Sequence, residues 1–412
     1  MIHAPNLRAG LIGARLSHSF SPRIHAAFAD YEYRLIELIE QELSAFMQSN
    51  GFDALNVTIP YKQAVIPYLT ELSDAASRIG AVNTVVRRPD GSLFGHNTDY
   101  DGFADLVKES GVALEGKKVL VLGSGGASRT VQTVAADMNA REIIVISREG
   151  ENNYQNLDRH ADAEVIVNTT PVGMYPHNGE SPISLDGFPC LIAVLDVIYN
   201  PAQTALLQDA KQRGLICANG LLMLVSQARR AAELFTGERI DDDAVRTVTD
   251  EIAKQTANLM LIGMPGCGKS TLGRLIAKEL GREFVDCDAE IVKAAGCPIP
   301  EIFATGGESA FRAIETEVLA KLSKQSSLVI ATGGGVITRP ENFPLLHQNS
   351  RVLFLDIAPD ELPTAGRPLS QSRTPKALYA ERLPLYRAAA DLTLPITRDI
   401  EFNLKKIMEV IQ

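Results

Sequence analysis

Cysteine is sparse in this chain and unpaired by spacing. The five thiols, Cys190, Cys217, Cys267, Cys287 and Cys297, are odd in number and contain no C-x-x-C pair, which argues against a disulfide framework and a zinc site. The seven histidines show no metal-ligand spacing. Long hydrophobic runs are missing too: none approaches the roughly 18 apolar residues of a membrane span, and the opening MIHAPNLRAGLIGARLSHS lacks a basic flank followed by an apolar core. A cytoplasmic protein with no membrane partner is therefore the expectation. Excess positive charge is also absent. Residues from Ala257 onward hold 18 basic and 18 acidic side chains, so the earlier part carries the whole net charge of −10, and nucleic acid is not an expected partner of either. No internal repeat, low-complexity tract or flexible linker interrupts the chain.

What is present is a soluble composition, 45% apolar and 22% charged over 412 residues, long enough for two or three domains. The first hundred residues alternate β-rich runs (RAGLIG, YEYRLIELI, ALNVTIP, AVNTVV, SLFGHN) with helical ones, which predicts an α/β lobe over 1–101. A dinucleotide-binding unit follows over 102–218, built on KKVLVLG, a helix from Ala127 to Asn139, REIIVIS, AEVIVNTT and LIAVLDVIY. Residues 219–256 hold a long amphipathic stretch and a last helix started by the acidic turn IDDDA, and are expected to complete the first lobe. Strand NLMLIG then opens a third α/β domain over 257–412.

Two glycine loops stand out. In GSGGAS, Gly123, Gly125 and Gly126 follow a strand and precede a helix, so backbone can approach a pyrophosphate at the helix N-terminus. Arg148, at the end of the next strand, suits a 2′-phosphate and so NADP, although Glu149 and Glu151 just behind it would repel that group. In front of this loop, Ser21 before Pro22 reads as a helix N-cap, which would place Ser19 and Ser21 where a carboxylate can sit. Lys62 follows one strand and Asp99 ends another; such a pair can pass a proton while hydride moves. His18 and His96 read as structural.

The second loop, GMPGCGKST, is more specific, since strand, glycines, lysine and serine must all agree. Its backbone would cradle the β-phosphate, Lys269 would reach the β and γ phosphates, and the Ser270 hydroxyl would ligate magnesium. Cys267 inside it reads as a small space-filler. In FVDCDAEIV, Asp286 suits the metal side and Asp288 a hydroxyl nucleophile. Arg312 and Glu315 stand three apart on a helix, so the carboxylate can fix the guanidinium for an anionic substrate. Gly333, Gly334 and Gly335 offer close backbone, and Arg367 and Arg382 follow.

Taken together, SHSFSP, NVTIPYK, GAVNT, NTDYDG, GSGGAS, NTTPVGM and MLVSQA resemble the shikimate dehydrogenases over about 250 residues, in order and spacing. That resemblance implies a substrate held by Ser19, Ser21, Thr58, Asn83, Asp99, Tyr199 and Gln227, with Lys62 and Asp99 as the catalytic pair. It implies NADP(H) against Gly123, Ser124, Gly125, Gly126, Ala127, Ser147, Arg148 and Gly220, and reduction of 3-dehydroshikimate. Ser147 and Glu149 stand where that family often has Asn and Thr.

From Ala257 onward the chain resembles shikimate kinase over about 155 residues, through D-C-D, F-R-x-x-E, G-G-G, R-P-L and R-x-P-L-Y. This implies shikimate bound by Asp288, Arg312, Gly333, Gly334, Gly335 and Arg382. ATP is implied against Gly263, Gly266, Gly268, Lys269, Ser270 and Thr271, with Mg2+ on Ser270 and Asp286. Lys269, Asp288 and Arg367 would act in catalysis, Arg367 from a lid. The lid departs from the family: ten residues separate Asp356 from Arg367, none of them basic, and Ser370 replaces the second Leu after R-P-L. The expectation is a bifunctional enzyme, monomeric or homodimeric, taking 3-dehydroshikimate to shikimate and then to shikimate 3-phosphate. Its rivals are an NAD-dependent quinate/shikimate dehydrogenase, and a dehydrogenase with a non-catalytic ATP-binding regulatory domain.

Overall fold

The computed structural model describes residues 1–16, 19–362 and 374–411. His18, Arg367 and Ser370 lie outside the described residues. The chain divides into two compact units. One comprises Met1–Met174, Glu180–Tyr199 and Leu206–Ala253, the other Tyr175–Gly179, Asn200–Ala205 and Lys254–Gln412. Among the described residues no helix is long and apolar enough to cross a membrane.

The first unit contains two sheets. β1 (Arg8–Gly13), β2 (Glu32–Glu37), β3 (Ala54–Val57), β4 (Glu71–Leu72), β5 (Thr84–Arg87) and β6 (Leu93–His96) run in the order β2-β1-β3-β5-β6-β4. β1 is parallel to β2 and β3, and β5 antiparallel to β3 and β6. Side chains alternate across a strand, and the core follows that period. Ala9 and Ala54 pack with Ile24 and Phe28 of the helix Ser21–Phe28, and with Val225, Ala228, Ala232 and Phe235 of the helix Leu221–Thr236. Ile12, Leu55, Val57 and Val85 instead join Leu43, Met47 and Phe52 in a separate cluster.

The second sheet is β7 (Lys118–Leu122), β8 (Glu142–Ile146), β9 (Val165–Asn168), β10 (Ala193–Asp196) and β11 (Ile216–Ala218), all parallel, in the order β11-β10-β9-β7-β8. KVLVL of β7 is buried at every position, as a strand covered on both faces requires. Val119 and Val121 face one core with Val131 and Val134, while Leu120 and Leu122 face another with Leu206 and Leu207. The strand order reverses between β7 and β9, and loops at the carboxyl ends of strands on either side of such a switch leave a crevice.

In the second unit β12 (Asn258–Ile262), β13 (Phe284–Asp286), β14 (Val329–Ala331), β15 (Ser350–Asp356) and β16 (Leu392–Pro395) form a parallel sheet in the order β13-β14-β12-β15-β16. Fully buried β12 runs straight into the second glycine loop and the helix Lys269–Leu280.

Several local expectations shift. Phe20 holds the cap position and Ser21 is already helical, with no side-chain cap bond; the Ser19 hydroxyl oxygen accepts from the Ser21 amide at 3.2 Å instead. Proline at the second helical position fixes that start early. Asp99 does not end a strand: β6 stops at His96 and Asp99 sits in the first turn of the helix Thr98–Ser110. The helix after the first glycine loop runs Gly126–Asp137, one residue earlier at its start. Asp286 ends β13 and caps the helix Cys287–Ala295, which already contains Asp288.

Candidate active sites

A cavity of about 760 Å³ opens in the first unit, lined by Ser19, Ser21, Thr58, Lys62, Asn83, Asp99, Tyr199 and Gln227 together with Ala127 and Gly220. The chain therefore brings residues more than 200 positions apart to one surface. Lys62 Nζ donates to Asp99 Oδ2 at 2.6 Å, and Asn83 Nδ2 donates to Asp99 Oδ1 at 3.0 Å. Asn83 is itself oriented, because its Oδ1 accepts from the Thr98 amide at 2.6 Å. Both oxygens of the carboxylate are thus held, and the ammonium has a defined seat facing the cavity. Burial pushes the Tyr199 hydroxyl above its usual range. His96 bonds Asp101 Oδ2 at 2.8 Å and does not line the cavity.

A second cavity, of about 600 Å³, lies at the switch between β7 and β9 and is lined by Gly123, Ser124, Gly125, Ser147, Arg148, Tyr154, Thr169 and Thr170. Gly123 has a left-handed φ of +102°, and a Cβ there would sit 2.9 Å from Thr169 Oγ1, so glycine is required. At Gly220 a Cβ would meet Val197 O at 2.1 Å. Gly125 and Gly126 face open space at the start of their helix, where a Cβ would meet nothing within 4 Å. Gly126 lines neither cavity, while Ala127, one residue on, lines the first; the loop borders both. Glu149 and Glu151 are exposed and line neither. The Ser147 hydroxyl bonds the Glu149 carbonyl.

In the second unit Lys269 is buried and its ammonium donates to Gly263 O at 2.9 Å and Met264 O at 3.0 Å. Gly263 has φ +148°, and a Cβ there would press on Leu355 O at 2.7 Å. Gly266 and Gly268 complete the turn into the helix, with Ser270 and Thr271 in its first turn. Cys267 is buried with its sulfur 3.8 Å from Lys269 Nζ. The Ser270 hydroxyl donates to Asp286 Oδ2 at 2.6 Å, and Asp286 Oδ1 accepts from the Asp288 amide at 3.0 Å. A hydroxyl and a carboxylate side by side form the all-oxygen donor set that suits a hard divalent cation such as Mg2+.

Arg312, Glu315, Asp288 and Arg382 gather round the glycine triplet. Arg312 Nη1 donates to Glu315 Oε2 at 2.6 Å. Burial lifts the Glu315 carboxyl above its usual range, and its Oε1 is buried without a hydrogen bond among the described residues. Arg382 Nη1 donates to Gly334 O at 3.0 Å, while its buried Nε has no partner among the described residues. A Cβ on Gly333 would sit 2.4 Å from Glu315 Oε1, on Gly334 2.6 Å from Pro265, and on Gly335 2.1 Å from Arg312 Nη2.

Sequence reasoning missed Asn56, Met223, Tyr154, Glu308 and Tyr386. Asn56 and Met223 line the first cavity and Tyr154 the second; Glu308 accepts from Arg312 Nη2 at 3.1 Å, and the Tyr386 hydroxyl bonds Gly334 O. Glu308, four before Arg312, carried a helical-spacing signal; Tyr154 lies in irregular chain and carried none. Thr169 and Thr170 sat inside NTTPVGM without being assigned a place.

Comparison with known proteins follows this division. The family model described as shikimate dehydrogenase substrate binding domain matches residues 11–85, and that described as shikimate kinase matches residues 265–412. A shikimate dehydrogenase (NADP(+)) of Clostridium perfringens (strain SM101 / Type A) is 35% identical over 264 residues, 59% of this chain and 97% of that protein. A chorismate mutase/shikimate 5-dehydrogenase fusion protein from Clostridium acetobutylicum superposes with TM-score 0.57 at 35% identity, covering 60% of this chain and 97% of that one. The shikimate 5-dehydrogenase of Thermus thermophilus, solved in complex with NADP(H) and shikimate, gives 0.55 at 32%, covering 60% and 99%. The chain belongs to the shikimate dehydrogenase family and carries a shikimate kinase domain behind it, a bifunctional enzyme of the shikimate pathway.

Proposed function

We propose that the first unit reduces the 3-keto group of 3-dehydroshikimate with NADPH, and that the second phosphorylates the 3-hydroxyl of the resulting shikimate with MgATP. The observation that carries the first half is the Lys62–Asp99 pair, 2.6 Å apart on a cavity that Ala127 and Gly220 border from the side of the glycine loop. NADPH bound along that loop supplies the hydride. Lys62 Nζ then gives a proton to the oxygen that becomes the hydroxyl, and Asp99, fixed by Asn83, holds the ammonium in line. Ser19 and Ser21 offer hydroxyls to the substrate carboxylate. Arg148 takes the 2′-phosphate, a reading favoured over NAD because Glu149 and Glu151 do not line the cofactor cavity.

In the second half MgATP supplies the phosphoryl group. Asp288 accepts the proton of the attacking hydroxyl, Lys269 swings from Gly263 O and Met264 O to the phosphates, and Ser270 and Asp286 hold the metal. Arg312, braced by Glu315, and Arg382 clamp the carboxylate. Those clamps support a catalytic domain over a mere nucleotide sensor, which has no use for them.

The test is to incubate the protein with 3-dehydroshikimate, NADPH and MgATP, following reduced-nicotinamide absorbance and weighing the product by mass spectrometry. Shikimate 3-phosphate is expected. Shikimate alone with ATP untouched would refute the kinase half, and unchanged NADPH the dehydrogenase half.

A further inference from the structure

The cavity around Lys62 and Asp99 contains a cation that no role assigned above uses. Its charged lining groups are Arg15, Lys62 and Asp99. Lys62 and Asp99 neutralise one another at 2.6 Å, whereas Arg15 has no hydrogen-bond or ion-pair partner among the described residues. The other polar lining groups are hydroxyls and amides, Ser19, Ser21, Thr58, Asn83 and Gln227 among them, so among the described residues the lining has one uncompensated positive charge. Low-dielectric walls around a cleft concentrate such a field on whatever enters.

The backbone on either side of Arg15 is held. The Ala14 amide donates to Ile59 O at 3.3 Å, the Leu16 amide to Glu37 Oε1 at 2.7 Å, and the Ser19 amide to Leu16 O at 3.0 Å. Leu16 is buried at 4% exposure while Arg15 is exposed at the cavity edge. Arg15, between two hydrogen-bonded neighbours, and Ser19 thus line the same cavity.

We propose that Arg15 is a substrate-binding residue that recognises the substrate carboxylate beside Ser19 and Ser21 and sets the preference for anionic over uncharged substrates. The proposal rests on the reading of the cavity as a shikimate site. Neutral hydroxyls donate hydrogen bonds but do not select for charge; a planar guanidinium does both.

The experiment compares shikimate with its uncharged methyl ester in NADP+-dependent oxidation. For Arg15→Gln, KM for shikimate is expected to rise about three- to tenfold with kcat kept, while KM for the ester stays put. Arg15→Lys, which keeps the charge, should restore most of the affinity, and added salt should raise KM less in Arg15→Gln than in the wild type. A KM for acid and ester that moves by the same factor, or an unmoved KM for the acid, overturns the proposal. Wild-type protein that oxidises no shikimate at all overturns the underlying reading as well, so the two failures are told apart.

Discussion

Replacing Gly335 by Ala is the sharpest single test of the kinase site. The backbone tolerates the change, since φ is −110°. The new Cβ, however, would lie 2.1 Å from Arg312 Nη2, 2.4 Å from Cζ and 2.5 Å from Nη1. Non-bonded atoms rest about 3.5 Å apart, so the guanidinium must withdraw by about 1.4 Å. That motion breaks its 2.6 Å bond to Glu315 and takes the fork away from the carboxylate it is proposed to clamp. Hydrogen bonds to charged groups contribute about 1.5–3 kcal/mol, which corresponds to a rise of about 10- to 150-fold in KM for shikimate. A misplacement of about 1 Å can cost a similar factor in rate. Initial kinase rates at varied shikimate measure the effect, and dehydrogenase activity of the same sample serves as an internal control. A kinase KM within about twofold of wild type would refute the reasoning.

Three further outcomes are expected. Arg148→Gln should raise KM for NADPH roughly fivefold, the modest figure reflecting an exposed contact, and leave KM for NADH unchanged; equal shifts would count against Arg148 as the phosphate contact. Asp286→Asn should weaken the magnesium dependence of the kinase by about 10- to 100-fold while thermal stability holds, since Asn caps a helix as well as Asp does. His25 is buried between Tyr33 and Phe235, and burial lowers its pKa from 6.5 to about 3. As pH falls, the unfolded chain takes up that proton first, so stability is lost progressively from about pH 6.5 down to 3 and by about 2 kcal/mol at pH 5. Denaturant unfolding at pH 7 and pH 5 reads this out, and His25→Gln should flatten the difference; an unchanged difference would exclude His25 as its source.

The fold class was legible because each sheet is built on strands such as KVLVL and NLMLI, whose unbroken apolar runs admit little but burial on both faces. The glycine loops were legible for a different reason: phosphate chemistry needs backbone at fixed spacing, and spacing survives in one dimension. Helix starts were less so, because Ser21 or Asp99 can sit at a cap or one turn inside with only a small cost either way. Arg15 and Tyr154 were invisible. Their place on a cavity wall depends on how loops fold back, and an arginine or tyrosine in irregular chain has no period to mark it. Why Gly335 must be glycine was hidden as well, since the wall it meets, Arg312, comes from a different helix.

The helix Leu221–Thr236 packs on Ile24 and Phe28, and its Gln227 reaches the same cavity as Ser19. On the ribosome the consequence is one of timing. The first sheet is synthesised early, yet the face that carries Ala9 and Ala54 lacks part of its cover until the chain has passed Phe235, by which point every strand of the second sheet has already been made. Chains fold largely as they are made, N-terminal parts first, so here the early lobe must wait for the later one. A released chain ending at residue 220 would hold every strand around the cofactor crevice beside a substrate cavity that still lacks Met223, Leu224 and Gln227.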